Sequence, residues 1–132
     1  MKLQVGVKAL IQNSDGQYLF IRRSAAFENE AEPHWDIPGG RINPDERLAV
    51  ALQREINEET GLKVTNEPSL IAAQDIVVEA IDLHVVRLTY RVNASGSVVL
   101  SDEHQEMTWA TKTEALKMNL DPYLLEVLSA AG

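Results

Sequence analysis

Three acids, Glu55, Glu58 and Glu59, fall within about one turn of a segment whose apolar residues recur at helical spacing. Setting Leu48 at 0° and advancing about 100° per residue puts Ala51 at about 300°, Leu52 at about 40° and Ile56 at about 80°, which marks a stripe that packs on a core. Glu55 then lies at about 340°, Glu59 at about 20° and Glu58 at about 280°, so carboxylates continue the stripe where a helix built only to pack would carry apolar side chains. An ionised carboxylate taken from water without a partner is costly, and neighbouring acids repel one another. The helix macrodipole also favours cations, not anions, at a C-terminal turn. Two readings stand: a solvated last turn paired with Arg54, or hard oxygen donors for a divalent ion, Mg²⁺ or Mn²⁺ rather than zinc or copper.

The helix carrying these acids is expected to start with Asn43 as N-cap, Pro44 at its first position and Glu46 completing a capping box, and to stop at Gly61. Upstream, Leu3, Val5, Val7, Ala9 and Ile11 alternate with more polar residues, Asn13-Ser14-Asp15-Gly16 reads as a turn, and residues 18–21 resume in extended form, which predicts a hairpin. Residues 24–34 read as a loop or frayed turn, and Trp35-Asp36-Ile37 as a short extended piece before Pro38-Gly39-Gly40. Longer strands are expected over 70–78 and 83–92, shorter ones over 98–100 and 107–110, and a capped helix after Asp121-Pro122. The fold class is α+β. With no repeat, low-complexity tract or linker, residues 1–132 are expected to form one domain.

Twelve Lys and Arg against 20 Asp and Glu leave a net charge of −8, with 45% hydrophobic and 5% aromatic residues. A chain of this length builds a core without metal or disulfide staples, so any metal would be functional. The lack of Cys excludes disulfides, zinc–thiolate sites, iron–sulfur clusters and thiol catalysis. The longest unbroken apolar run, residues 48–52, falls far short of the ~20 that span a bilayer, and no basic-then-apolar leader opens the chain. No membrane partner and a cytoplasmic location are therefore expected. An acidic chain with few aromatics also makes a poor nucleic-acid platform, so no stable complex of that kind is expected.

Residues 40–62 carry a second signal. Gly40, five residues, Glu46, seven residues, then Arg54-Glu55-Ile56-Asn57-Glu58-Glu59-Thr60-Gly61-Leu62 resembles the Nudix box with every signature position filled. The order around it, a hairpin before and strands and a terminal helix after, is similar to the Nudix fold, an α/β/α sandwich around a mixed sheet with a loop-helix-loop box. The resemblance implies a Mg²⁺-dependent hydrolase, Mn²⁺ being the other candidate ion, that cleaves a phosphoric anhydride bond of a nucleoside diphosphate derivative with water. That chemistry suits the residue types, because a polyphosphate repels an acidic protein until divalent cations cancel its charge. Carried over position by position, Glu55, Glu58 and Glu59 become metal ligands together with the carbonyl of Gly39. Gly40 lets the backbone pass close to the metal and substrate, Arg54 orients a glutamate, and Glu46 serves the helix start. The general base in such proteins lies either within the box or on a later loop. Here Asp102-Glu103-His104-Gln105-Glu106 supplies the loop, and Glu103 is selected as base and further metal ligand.

Substrate identity comes from outside the box. Arg23, after Arg22 at the end of the second strand, matches the place where an arginine touches the nucleotide in MutT-like members. Asn119 matches a position that reads a purine edge in some of them, a task suited to an amide that both donates and accepts. Members selective for ADP-ribose carry a proline about sixteen positions beyond the box glycine, where this chain has Val77. A tyrosine marking diadenosine-polyphosphate members is missing near Val78, and the coenzyme A pattern begun at Leu19 to Ala25 is not completed. By elimination, the expected reaction converts a nucleoside triphosphate, canonical, oxidised or modified, to the monophosphate and pyrophosphate. The alternatives are hydrolysis of ADP-ribose or a nucleotide sugar, and a non-catalytic nucleotide-sensing module, against which the filled box argues. The expected partner is a small-molecule nucleotide, and the chain is expected to be a monomer or homodimer.

Overall fold

The computed structural model describes residues 1–23 and 33–130, so the loop expected over 24–34 lies outside the described residues apart from Pro33 and His34. The strands are β1 (Lys2–Gln12), β2 (Tyr18–Arg23), β3 (Trp35–Asp36), β4 (Gly39–Arg41), β5 (Lys63–Val64), β6 (Ser69–Val78), β7 (Leu83–Ser95) and β8 (His104–Ala110). The helices are α1 (Leu48–Thr60), α2 (Lys112–Ala115) and α3 (Pro122–Ser129). None among the described residues is long and apolar enough to cross a membrane.

The predicted hairpin forms, but its arms pair only at its mouth, Gln12 with Tyr18. Asn13 shapes the turn, its Oδ1 accepting from the Asp15 and Gln17 N–H groups. Beyond it the arms take other partners. β1 runs parallel to β7 from Lys2–Leu83 to Gln12–Asn93, and β2 runs antiparallel to β8. Residues 35–41 then cross from one arm to the other, β3 pairing with β2 and β4 with β1. β6 extends the sheet antiparallel to β7.

The period-2 pattern of a strand sends alternate side chains to opposite faces. Val7, Ala9 and Ile11 of β1 and Leu19 and Ile21 of β2 pack with Ala51, Leu52 and Ile56 of α1. Leu10 and Phe20, the intervening residues, pack with Ala115, Leu120, Leu124 and Leu128 on the other face. The sheet is thus covered on both sides, the expected sandwich, and each fully buried Leu, Ile or Phe contributes roughly 1.5–3 kcal/mol. Asp121 caps α3 as expected, its Oδ2 accepting from the Tyr123 and Leu124 N–H groups at 3.0 Å.

Two local expectations are corrected. The central helix starts at Leu48, not at Asn43–Pro44, because Asp45 takes a left-handed φ of 63° that interrupts the helical path. The capping-box contact survives without its helix: the Asn43 N–H donates to Glu46 Oε1 at 3.0 Å. Leu48 is consequently exposed, and the buried stripe consists of Ala51, Leu52, Ile56 and Thr60. Residues 98–100 form no strand. Gly96, at φ 115°, turns the chain at the end of β7, and Val99 and Ser101 donate their N–H groups to the carbonyls of Thr60 and Glu59. That segment closes the C-terminal end of α1, whose last carbonyls have no partner within the helix.

Candidate active site

Beside the C-terminal half of α1 lies a cleft of about 660 Å³. Its floor is β1 at Lys8 and the crossing segment 36–41, one wall is α1, and the facing wall is the loop 101–104 with the end of β2 at Arg23. Glu55, Glu58, Glu59, Gly39, Gly40, Arg23 and Glu103, far apart in the chain, all line it.

Arg54 does not face the cleft but organises one side of it. Its guanidinium donates to both oxygens of Glu46, to Glu55 Oε1 at 2.8 Å, to Glu58 Oε2 at 3.4 Å and to the carbonyl of Arg41 at 3.1 Å. The hydrogen bond from Arg54, reinforced by the Asn43 N–H, holds the Glu46 carboxyl at about 2, and the same bond raises the pKa of Arg54. Glu46 therefore ties the turn at 43–46 to the middle of the helix. Gly40 completes the arrangement, since a Cβ there would stand 2.6 Å from the carboxylate atoms of Glu55. Gly39, at φ 154°, has no room either, with the Val7 carbonyl and the Lys8 side chain in the way of any Cβ.

Glu59 sits one turn along in a different setting. Its Oε1 accepts the Gly39 N–H at 3.1 Å, and its Oε2 lies 3.5 Å from His104 Nε2. Burial pushes the carboxyl up to about 7; Lys8 and the Gly39 N–H oppose the rise, while Glu55 and Asp36 add to it. His104 is itself nearly buried and accepts no charge readily: burial, then Arg23 and Lys8, lower its pKa, and its Nδ1 lies 3.1 Å from Ser101 Oγ. The surroundings of both groups thus disfavour the charged form of each across this contact. Glu58 is 56% exposed at the rim. Glu103 pairs with Arg23 at 2.5 Å through Oε2, and among the described residues Oε1 has no hydrogen-bond partner.

The structure does not bring Asn119 into this assembly. It is exposed, outside the cleft lining, and its carbonyl accepts the Trp35 N–H, which helps set β3. Trp35 packs against the core under the Arg22 guanidinium, 4.6 Å from the ring centroid. Residues not expected from the sequence are Lys8 and Asp36 in the cleft and Arg87 behind them. Their signal was available: a lysine in the middle of an apolar alternation and an arginine inside the apolar run 83–92 are costly in a sheet covered on both faces.

Among the described residues, no three acids or histidines converge closely enough to cage an ion by themselves. The donor set nevertheless fits Mg²⁺ or Mn²⁺. All the candidate donors are hard oxygens, the bare Cα of Gly40 keeps space for the Glu55 carboxylate, and Mg²⁺ characteristically takes only one or two carboxylates, filling its remaining positions with water and substrate oxygens.

The family profile described as NUDIX domain matches residues 2–130, and the chain belongs to the Nudix family of hydrolases. The CTP pyrophosphohydrolase of Escherichia coli K12 is 30% identical over 131 residues, covering 98% of this chain and 92% of that protein. Nucleoside triphosphatase NudI of the same strain is 29% identical over an alignment 142 positions long, covering 100% of this chain and 99% of that protein. The crystal structure of a MutT NUDIX hydrolase from Burkholderia pseudomallei superposes with a TM-score of 0.83 at 26% identity, covering 100% of both chains.

Proposed function

We propose that this Nudix hydrolase cleaves nucleoside triphosphates to the monophosphate and inorganic diphosphate in a Mg²⁺-dependent reaction. The observation that carries the reading is the gathering of the three box acids, the Gly39–Gly40 backbone and Glu103 around one cleft. The choice of triphosphate is supported by relatives named CTP pyrophosphohydrolase and nucleoside triphosphatase. Glu55, Glu58, Glu59 and the Gly39 carbonyl would hold the ion, with Glu103 as a further ligand. When bound, it would supply positive charge against the phosphate oxygens and acidify water. Arg54 keeps Glu55 aimed, and Arg23 at the mouth meets the nucleotide's phosphates. Glu103 Oε1 takes the proton of the attacking water. The water oxygen bonds to phosphorus as the anhydride P–O bond breaks, which separates the monophosphate from diphosphate.

The test is a panel of canonical and oxidised nucleoside triphosphates, each with Mg²⁺ or with chelator, read as inorganic phosphate with and without added pyrophosphatase. Phosphate that appears only with both Mg²⁺ and pyrophosphatase is the expected result. Phosphate released without pyrophosphatase, or none from any triphosphate, overturns the reading.

A further inference from the structure

We propose that Lys8 is a substrate-binding residue, a cation set into the floor of the cleft that donates to a phosphate oxygen; the inference rests on the polyphosphate reading above. Lys8 lies in β1, a strand covered on both faces, and its side chain is 21% exposed into the cleft. Its ammonium donates to Asp36 Oδ2 at 3.3 Å and to the Ile37 carbonyl at 3.1 Å. An ammonium has three donors, and the third has no acceptor among the described residues.

Asp36 is not a private counterion. Its Oδ1 accepts from Arg87 at 3.0 Å and from the Ile37 N–H at 2.8 Å. Arg87, only 5% exposed, continues to Asp121 Oδ2 at 3.2 Å, the same oxygen that caps α3. Lys8, Asp36, Arg87 and Asp121 form a chain of alternating charge that sums to zero. Such buried chains stabilise a fold no better than apolar packing does. This one also leaves Arg87 Nε and Thr89 Oγ1 buried without partners among the described residues, Thr89 being the register neighbour of Lys8 on β7. Packing does not account for the arrangement; holding one ammonium at a fixed point of the cleft does. An ammonium is a compact point charge, suited to phosphate oxygens. It stands on the floor, whereas Arg23, 42% exposed and tied to Glu103, stands at the rim. Two cations at different depths suit a ligand carrying more than one phosphate.

The probe is inorganic diphosphate, titrated calorimetrically in chelator against wild type, Lys8→Met and Lys8→Arg, with steady-state kinetics on a triphosphate in Mg²⁺. Lys8→Met is expected to weaken diphosphate binding about tenfold or more and to raise KM by a similar factor, with a smaller change in kcat, while Lys8→Arg stays within about threefold of wild type. If the Met variant fails to fold, Lys8→Gln, which keeps a donor for Asp36 and loses the charge, gives the same reading. Wild-type protein that binds no diphosphate, or folded charge-free variants that bind it equally well, overturn the assignment. Hydrolysis with an unaltered KM in Lys8→Met refutes Lys8 alone, whereas Lys8-dependent diphosphate binding without hydrolysis of any nucleotide refutes the triphosphate reading and leaves Lys8 assigned.

Discussion

Glu55 and Glu59 project from the same helix into the same cleft and are equally withdrawn from water, with side chains 13% and 15% exposed. Glu55 has the Arg54 guanidinium at 2.8 Å and a glycine cut away to admit it. Glu59 has one backbone N–H, a histidine whose charged form burial disfavours, and Lys8 acting on it, and its carboxyl still rises to about 7. At Glu59 burial outweighs the opposing Lys8 charge and the Gly39 N–H. The helix thus presents one carboxylate held by a guanidinium and one whose charge burial disfavours.

The comparison breaks first at Glu59. Glu59→Gln should lower kcat/KM by about 10²- to 10³-fold, the several kcal/mol attributed to a metal ligand, without lowering the melting temperature at pH 8. Kinetics and thermal melting on one preparation check both halves, and near-wild-type activity would remove Glu59 from the site. Next is Gly40→Ala, which drives the Glu55 carboxylate from its place. The far end of that side chain can swing away, so the variant should fold while losing up to about 10²-fold in kcat, the effect of an ångström-scale misplacement.

A pH series sharpens the contrast. Glu59 is raised from an ordinary 4.5 to about 7, so the folded chain binds its proton more tightly than the unfolded chain does. Its contribution is fully present below about 4.5 and is lost as pH rises through about 7, amounting to about 3 kcal/mol at most. Urea melts without metal should show that slope in wild type and none from this group in Glu59→Gln, and Mg²⁺ should offset the loss above pH 7. Smallest is Arg54→Met. The partly exposed guanidinium serves Glu46 and Glu55 together, and its removal should destabilise by about 1–2 kcal/mol in a urea melt. An unchanged midpoint would mean that the Glu46–Arg54 tie contributes nothing.

Much of this was legible along the chain because it is local. The acids on the wheel, the Gly61 stop, the Asp121 cap and the strands over 70–78 and 83–92 each depend on residues a few positions apart. The errors also have local causes. Asn43-Pro44 carries every helix-start preference, yet Asp45 turns left-handed and Glu46 goes to Arg54 eight residues on. Residues 98–100 have strand composition, but their N–H groups go to the end of α1 instead of to a strand. Asn119 is fixed through its backbone to Trp35, a pairing that composition does not reveal.

What the sequence determined by itself was the chemistry on offer: three helical carboxylates beside a bare glycine pair, and through them the family. What only the tertiary structure decided was the charge state and company of each group. Lys8, Asp36 and Arg87 read along the chain as three unrelated polar residues, and the parallel pairing of β1 with β7 and the crossing of residues 35–41 bring them together. Proton affinity depends on distances of a few ångströms and on access to water. Both are set by contacts between segments tens of residues apart, so no local pattern in the chain encodes them.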